Sequence, residues 1–120
     1  MTPTLLVVAK APVPGLVKTR LCPPATPLQA ARIASAALLD TLDAAPWPGT
    51  VVALTGRIAD ADAAGELRAA LRRCRVVAQR GTGFGDRLAN AHADAATPGR
   101  GVLQVGSDTP QLHPALLADA

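Results

Sequence analysis

The chain has 120 residues, 49% of them apolar and 18% charged, with a formal net charge of +3. That is length enough for one ordinary domain with a real core, and the composition excludes a disordered chain. One Trp, one Phe and no Tyr argue against an aromatic platform for single-stranded nucleic acid, and so small a charge is no nucleic-acid footprint.

The position of the charge says more than its size. The first acid is Asp40, so Lys10, Lys18, Arg20 and Arg32 stand unopposed before it, and positive potential there favours phosphate or another anion. Cys22 and Cys74 show neither CxxC nor zinc spacing and read as free, partly buried thiols. No basic region precedes the first apolar run, and no run approaches membrane-spanning length. The expectation is a soluble, cytoplasmic protein.

"TLLVVA", Thr4 to Ala9, is a short continuous apolar run, as a strand buried on both faces requires. From Lys10 to Ala25 the chain carries Pro12, Pro14, Pro23 and Pro24, which rules out both a helix and a central strand. A helix then begins: Thr26 as N-cap, Pro27 in the first helical position and Gln29 completing a capping box. Its apolar positions repeat at helical spacing until Pro46. A turn at "PWPGT" leads to a second buried strand, Val51 to Thr55. "IADADAAGELRAALRRC", from Ile58 to Cys74, reads as one helix, with acids early and arginines late as the macrodipole favours. Arg75 to Gln79 is a third strand, "RGTGFG" a loop, and "DRLANAHADAA" from Asp86 a helix. Gly101 to Gly106 is a fourth strand, and a last helix starts near Pro114.

Four alternations of apolar strand and amphipathic helix specify a three-layer α/β/α domain. It has a mostly parallel sheet and right-handed crossovers. Residues 1–120 form a single domain in this reading. The last helix stops after barely two turns, which suggests a fragment or a truncated product; an open sheet edge left that way would invite a homodimer.

Three stretches carry chemistry. "AKAPVPGLVKTRL", Ala9 to Leu21, holds both lysines of the chain, Lys10 and Lys18, together with Arg20. Its "GLVKT" fails the Walker pattern, because Gly15 is misplaced and Val17 stands where glycine is required. Flexible lysines beside a glycine, after a strand and before a helix, nevertheless suit a di- or triphosphate; the alternative is a solvated surface loop.

"QRGTGFGD" spaces Gly81, Gly83 and Gly85 on alternate positions, with Asp86 where a GxGxxG motif needs its last glycine. Alternate glycines let backbone lie flat against a base or ribose, with Gln79 able to hydrogen-bond it; a plain flexible loop is the other reading. "GSDTP" puts Asp108 just past a strand end, as an oxygen ligand for Mg²⁺ or Mn²⁺ beside phosphates or as the N-cap of the next helix. His92 and His113 are isolated and read as structural or solvated.

In this order and spacing the three stretches resemble the nucleotide-diphospho-sugar transferase superfamily. More narrowly they resemble a bacterial family of GT-A-like, glycosyltransferase-like proteins, some of them assigned to arsenosugar biosynthesis. The resemblance covers essentially the whole chain, and the lysine stretch is its specific part. It implies a GT-A fold with the first and fourth strands side by side, and a transferase of the glycosyltransferase kind. It makes Lys10, Pro12, Gly15, Lys18, Arg20, Gln79, Gly83, Gly85 and Arg87 the nucleotide- and phosphate-contacting residues, and Asp108 the ligand of a Mg²⁺ or Mn²⁺ ion.

Asp108 is one acid where a full DxD motif has two. Family members also carry a later Asp-Gly-Gly-aromatic segment on the acceptor side, which this chain lacks. The implied partners are a nucleotide-sugar and a small-molecule acceptor, without nucleic acid or a membrane span. Two alternatives remain open. One is a guanylyltransferase-like nucleotidyltransferase acting on an NTP and a small phosphorylated or hydroxy acid; the other is a non-catalytic nucleotide-binding fragment.

Overall fold

The computed structural model describes residues 3–45 and 49–106. In chain order its elements are β1 (Thr4–Lys10), α1 (Pro27–Ala44), β2 (Val51–Thr55), α2 (Ala64–Leu71), β3 (Arg75–Ala78), α3 (Phe84–Ala95) and β4 (Val102–Gly106). The turn at Pro46–Pro48, Asp108, His113 and the expected last helix lie outside the described residues.

All strand pairs are parallel, and the order is β3-β2-β1-β4. Strand alternation sorts the side chains into two layers. On one face Leu5, Val7 and Ala9 of β1 and Val52 of β2 meet Leu38 and Leu42 of α1 and Leu67 and Leu71 of α2. On the other, Leu6, Val51 and Ala53 meet Ala91 and Ala95 of α3. The three-layer α/β/α expectation holds. Leu6, Leu38, Leu42 and Leu67 are at most 1% exposed, and burying each such side chain stabilises the fold by about 2–3 kcal/mol before entropy is counted. β3 is an edge, and its residues are largely exposed.

The start of α1 follows its sequence closely. Thr26 accepts a hydrogen bond from the Gln29 N–H at 3.1 Å, and Gln29 Oε1 accepts from the Thr26 N–H at 2.9 Å. Pro27 occupies the first turn, where its missing N–H costs nothing.

The expected single helix from Ile58 to Cys74 is corrected. Ile58–Asp60 form one 3₁₀ turn, and α2 begins only at Ala64, after Ala63 in a left-handed conformation. Tertiary bonds outcompete helix at Asp62: its N–H donates to the Pro12 carbonyl at 3.0 Å and its carbonyl accepts from Ser35 Oγ at 3.0 Å. A second correction is smaller. α3 starts at Phe84 rather than Asp86, so Gly85 is helical and the glycine loop is shorter than read.

This strand order carries the chain outward from β1 to β3, then back across α3 to β4 on the other side of β1. The reversal point lies between the carboxyl ends of β1 and β4, where ligands bind in open α/β sheets. It is the adjacency the resemblance implied.

Candidate functional site

At the reversal point β1 ends on Lys10, which is exposed. The backbone then leaves the sheet with the Ala11 N–H bonded to the Thr55 carbonyl at 2.8 Å. Pro12 is buried, and its carbonyl is already held by Asp62. It therefore lies beneath the loop, packed inward. Val13 to Leu16 form a turn closed by the Leu16 N–H to Val13 carbonyl bond at 3.0 Å, with Gly15 at φ +85°. Pro14-Gly15 is the pair such a turn favours. Gly15 serves the path of the chain; nothing within 4 Å would meet a side chain there.

Lys18 adopts a left-handed conformation, φ 48° and ψ 38°, which is uncommon for a non-glycine residue. It caps a 3₁₀ turn, Thr19–Leu21. The result is a cleft of about 470 Å³ whose described lining includes Lys10, Lys18 and Arg20. Three cations from two ends of one loop thus meet in a single opening.

A second cleft of about 280 Å³ lies on the other side of Lys10, lined also by Thr55, Gln79, Phe84 and Arg87. Lys10 is common to both. Gln79 Nε2 donates to the Ala9 carbonyl at 3.0 Å and to the Ala53 carbonyl at 3.1 Å, lacing the ends of three strands together. This fixes which way the amide faces, and what Gln79 still offers a ligand is its acceptor, Oε1.

The next residue anchors the loop to the opposite element. Arg80 donates Nε and Nη2 to the two carboxylate oxygens of Asp94, at 3.1 and 2.7 Å, while Asn90 Nδ2 donates to the Arg80 carbonyl at 2.9 Å. Bonding of its charged form by Arg80 is the main cause holding the Asp94 carboxyl below its ordinary range.

Among the three glycines, Gly81 is the demanding one. Its φ is +120°, and a Cβ there would come within 2.8 Å of Asp86 Cβ. Gly83 is the N-cap of α3, Gly85 is in its first turn, and both face open space. Of the residues taken as contacting nucleotide, the structure gathers Lys10, Lys18, Arg20, Gln79 and Arg87 around the two clefts. Gly83 and Gly85 shape the start of α3.

Phe84 is the residue the sequence reading passed over. It is 67% exposed and lines the smaller cleft; a lone Phe directly after the glycine loop was the available signal, outweighed by the scarcity of aromatics overall. Arg87 Nε is enclosed by protein with no hydrogen-bond partner among the described residues. Such a donor is costly to leave unmatched. His92 plays the structural part expected of it, with Nε2 donating to Gln104 Oε1 at 2.7 Å.

Cys22 and Cys74 are free and half-buried, as expected. Burial pushes the Cys74 thiol up to about 11, partly offset by Arg73. The charged side chains lining the clefts are cationic, and no group of three or more His, Cys, Asp or Glu that could hold a metal occurs among the described residues. The described residues do not by themselves fit a divalent ion; Asp108, the expected ligand, is not among them. Nor is any described helix long and apolar enough to cross a membrane.

Residues 38–120 match the model of a family described as "Uncharacterized protein conserved in bacteria (DUF2064)". The chain belongs to this family. The match begins after the lysine loop. The DUF2064 chain superposes with a TM-score of 0.74 and 26% identity on the crystal structure of a protein from Desulfovibrio desulfuricans G20, provisionally assigned as a nucleotide-diphospho-sugar transferase. The match covers 98% of this chain and 52% of that one, so the DUF2064 chain spans about half the length of the solved relative. No curated protein matches it. The resemblance to the nucleotide-diphospho-sugar transferases and the α/β fold it implied are borne out.

Proposed function

We propose that the chain binds a nucleotide-diphospho-sugar at the reversal point and forms the donor side of a glycosyltransferase-type site. The observation that carries this reading is the position of Lys10, at the end of the central strand and on both clefts. In this reading the nucleoside enters the smaller cleft, its base against the exposed Phe84 ring and one of its N–H or O–H groups toward Gln79 Oε1. The diphosphate crosses Lys10 toward Lys18 and Arg20.

The chemistry asked of these residues is electrostatic. As an acceptor hydroxyl attacks the anomeric carbon, the bond to the diphosphate breaks and negative charge grows on the leaving group. Lys10, Lys18 and Arg20 are fixed where that charge develops. Asp108 is the proposed ligand of a Mg²⁺ or Mn²⁺ ion, which would share that neutralisation when bound.

The test is calorimetric titration with UDP-glucose, GDP-mannose, UTP and GTP, with and without Mg²⁺, on wild type and on Lys10→Ala and Lys18→Ala. The reading expects a nucleotide-sugar to bind and each substitution to weaken it about tenfold or more, the scale of one charge-assisted phosphate contact. Preference for the triphosphates would replace it with nucleotidyl transfer on the same cations, and binding indifferent to both lysines would end it.

A further inference from the structure

A further cleft, of about 500 Å³, opens between α1 and the start of α2. That is within the range of small-molecule sites, roughly 300–1,000 Å³. Its two sides differ in chemistry. Arg32, Ser35, Ala36 and Leu39 come from α1, and Asp62 and Glu66 from the other side. Neither carboxylate has a part in the nucleotide reading, and the described linings of the two clefts at the reversal point hold no acid.

Opposite charges that line one cleft would ordinarily pair. Here they do not: among the described residues Arg32 forms no ion pair, with these acids or with any other. The two sides are joined instead by bonds that engage none of the charges. Ser35, 3% exposed, donates Oγ to the Asp62 carbonyl at 3.0 Å, and the Asp62 N–H donates to the Pro12 carbonyl at 3.0 Å. Both backbone groups of Asp62 are thus engaged, so its carboxylate is carried on a fixed stem and little ordering is left for a ligand to impose.

A cation on one side, two carboxylates on the other and alkyl groups beside them call for the complementary pattern in a ligand. One carboxylate and two cationic groups on a short aliphatic spine supply it, each able to make a charge-assisted hydrogen bond. One arginine against two acids also leaves the cleft a negative charge in excess, which a ligand of net positive charge offsets.

We infer that the cleft between α1 and α2 binds a free basic amino acid. Its carboxylate lies on Arg32, its α-ammonium and side-chain cation on Asp62 and Glu66, and its methylenes over Ala36 and Leu39. The site shares no residue with the nucleotide reading, and each stands or falls apart from the other.

The experiment is calorimetric titration of the full chain with L-lysine and with two analogues that each lack one charge. Cadaverine lacks the carboxylate, and L-norleucine lacks the side-chain ammonium. L-Lysine is expected to bind at least about fivefold more tightly than either, the scale of one partly exposed ion pair. Arg32→Gln should bring L-lysine down to the affinity of cadaverine and leave cadaverine unchanged. Glu66→Gln should erase its advantage over L-norleucine. Both residues are exposed, and unchanged melting temperatures would show that the variants are folded. Absence of L-lysine binding overturns the proposal, as does equal binding of L-lysine and its analogues to wild type. So does an L-lysine affinity that neither substitution lowers.

Discussion

Arg80 and Asp94 face each other across two parallel hydrogen bonds, 2.7 and 3.1 Å long, between the start of the glycine loop and the last turn of α3. Arg80 is 57% exposed at its side chain and Asp94 24%, so the pair is partly screened by water and contributes more to geometry than to stability. With Asn90 on the Arg80 carbonyl and Gln79 on the strand carbonyls, residues 79 and 80 tie the loop to the sheet and to the helix in turn.

The pair sets a pH dependence with a definite sign. Arg80 holds the Asp94 carboxyl below its ordinary value. A folded value below the unfolded one gives stability that is complete above the unfolded carboxylate range, about pH 4, and is lost as pH falls through the folded value. Asp94→Asn should therefore melt slightly below wild type at pH 7, and the two curves should merge in acid. A gap that widens below pH 4 would contradict the assignment; molar salt should narrow it at neutral pH.

Two glycines four residues apart should respond with opposite signs. Gly81→Ala meets both a positive φ and a contact of 2.8 Å, and should cost about 1–3 kcal/mol. Gly85→Ala enters open space in the first turn of α3 and should gain up to about 1 kcal/mol. Urea midpoints at constant slope measure both.

Thr26→Ala removes the acceptor for the Gln29 N–H and should cost about 1 kcal/mol. Because Gln29 still reaches back to the Thr26 N–H, Gln29→Ala in that background should add less than it does in wild type. Strict additivity in the double-mutant cycle would mean that the two halves of the box act independently.

Cys74 should be nearly inert. A thiol raised from 9.0 to about 11 holds roughly a hundredfold less thiolate near neutral pH, and thiolate is the reactive form. Alkylation of Cys74 in the native chain should be slower than in urea by about that factor, read residue by residue by mass spectrometry. Because the folded value lies above the unfolded one, its contribution to stability is whole below pH 9 and falls as pH rises toward 11.

What could be read from the sequence was what neighbouring residues decide among themselves. Thr26, Pro27 and Gln29 announce α1 because a capping box is closed within four residues. The apolar runs announce the strands because a sheet covered on both faces asks nothing of them but bulk and branching. Ile58 to Cys74 was misread because the amide of Asp62 is claimed by Pro12 and its carbonyl by Ser35, neither of them near it in sequence. Gly81, Gly83 and Gly85 look equivalent by spacing, and only the start of α3 at Phe84 tells them apart. The lysine loop was legible as a cationic site. Which of its aliphatic side chains face outward was not, since Leu16 and Val17 read alike until one turns out and the other in.

The two bonds at Asp62 have a consequence measurable in isotopes. The residue belongs to no helix or strand, yet its amide proton is held by Pro12, itself buried, and its carbonyl by Ser35, 3% exposed. Deuterium should replace that proton far more slowly than those of Asp60 and Gly65 on either side, because release requires the lysine loop, through the buried Pro12 carbonyl, to part from this segment. A slow proton in an irregular stretch would then serve as a clock for the opening of the lysine loop, readable without any ligand.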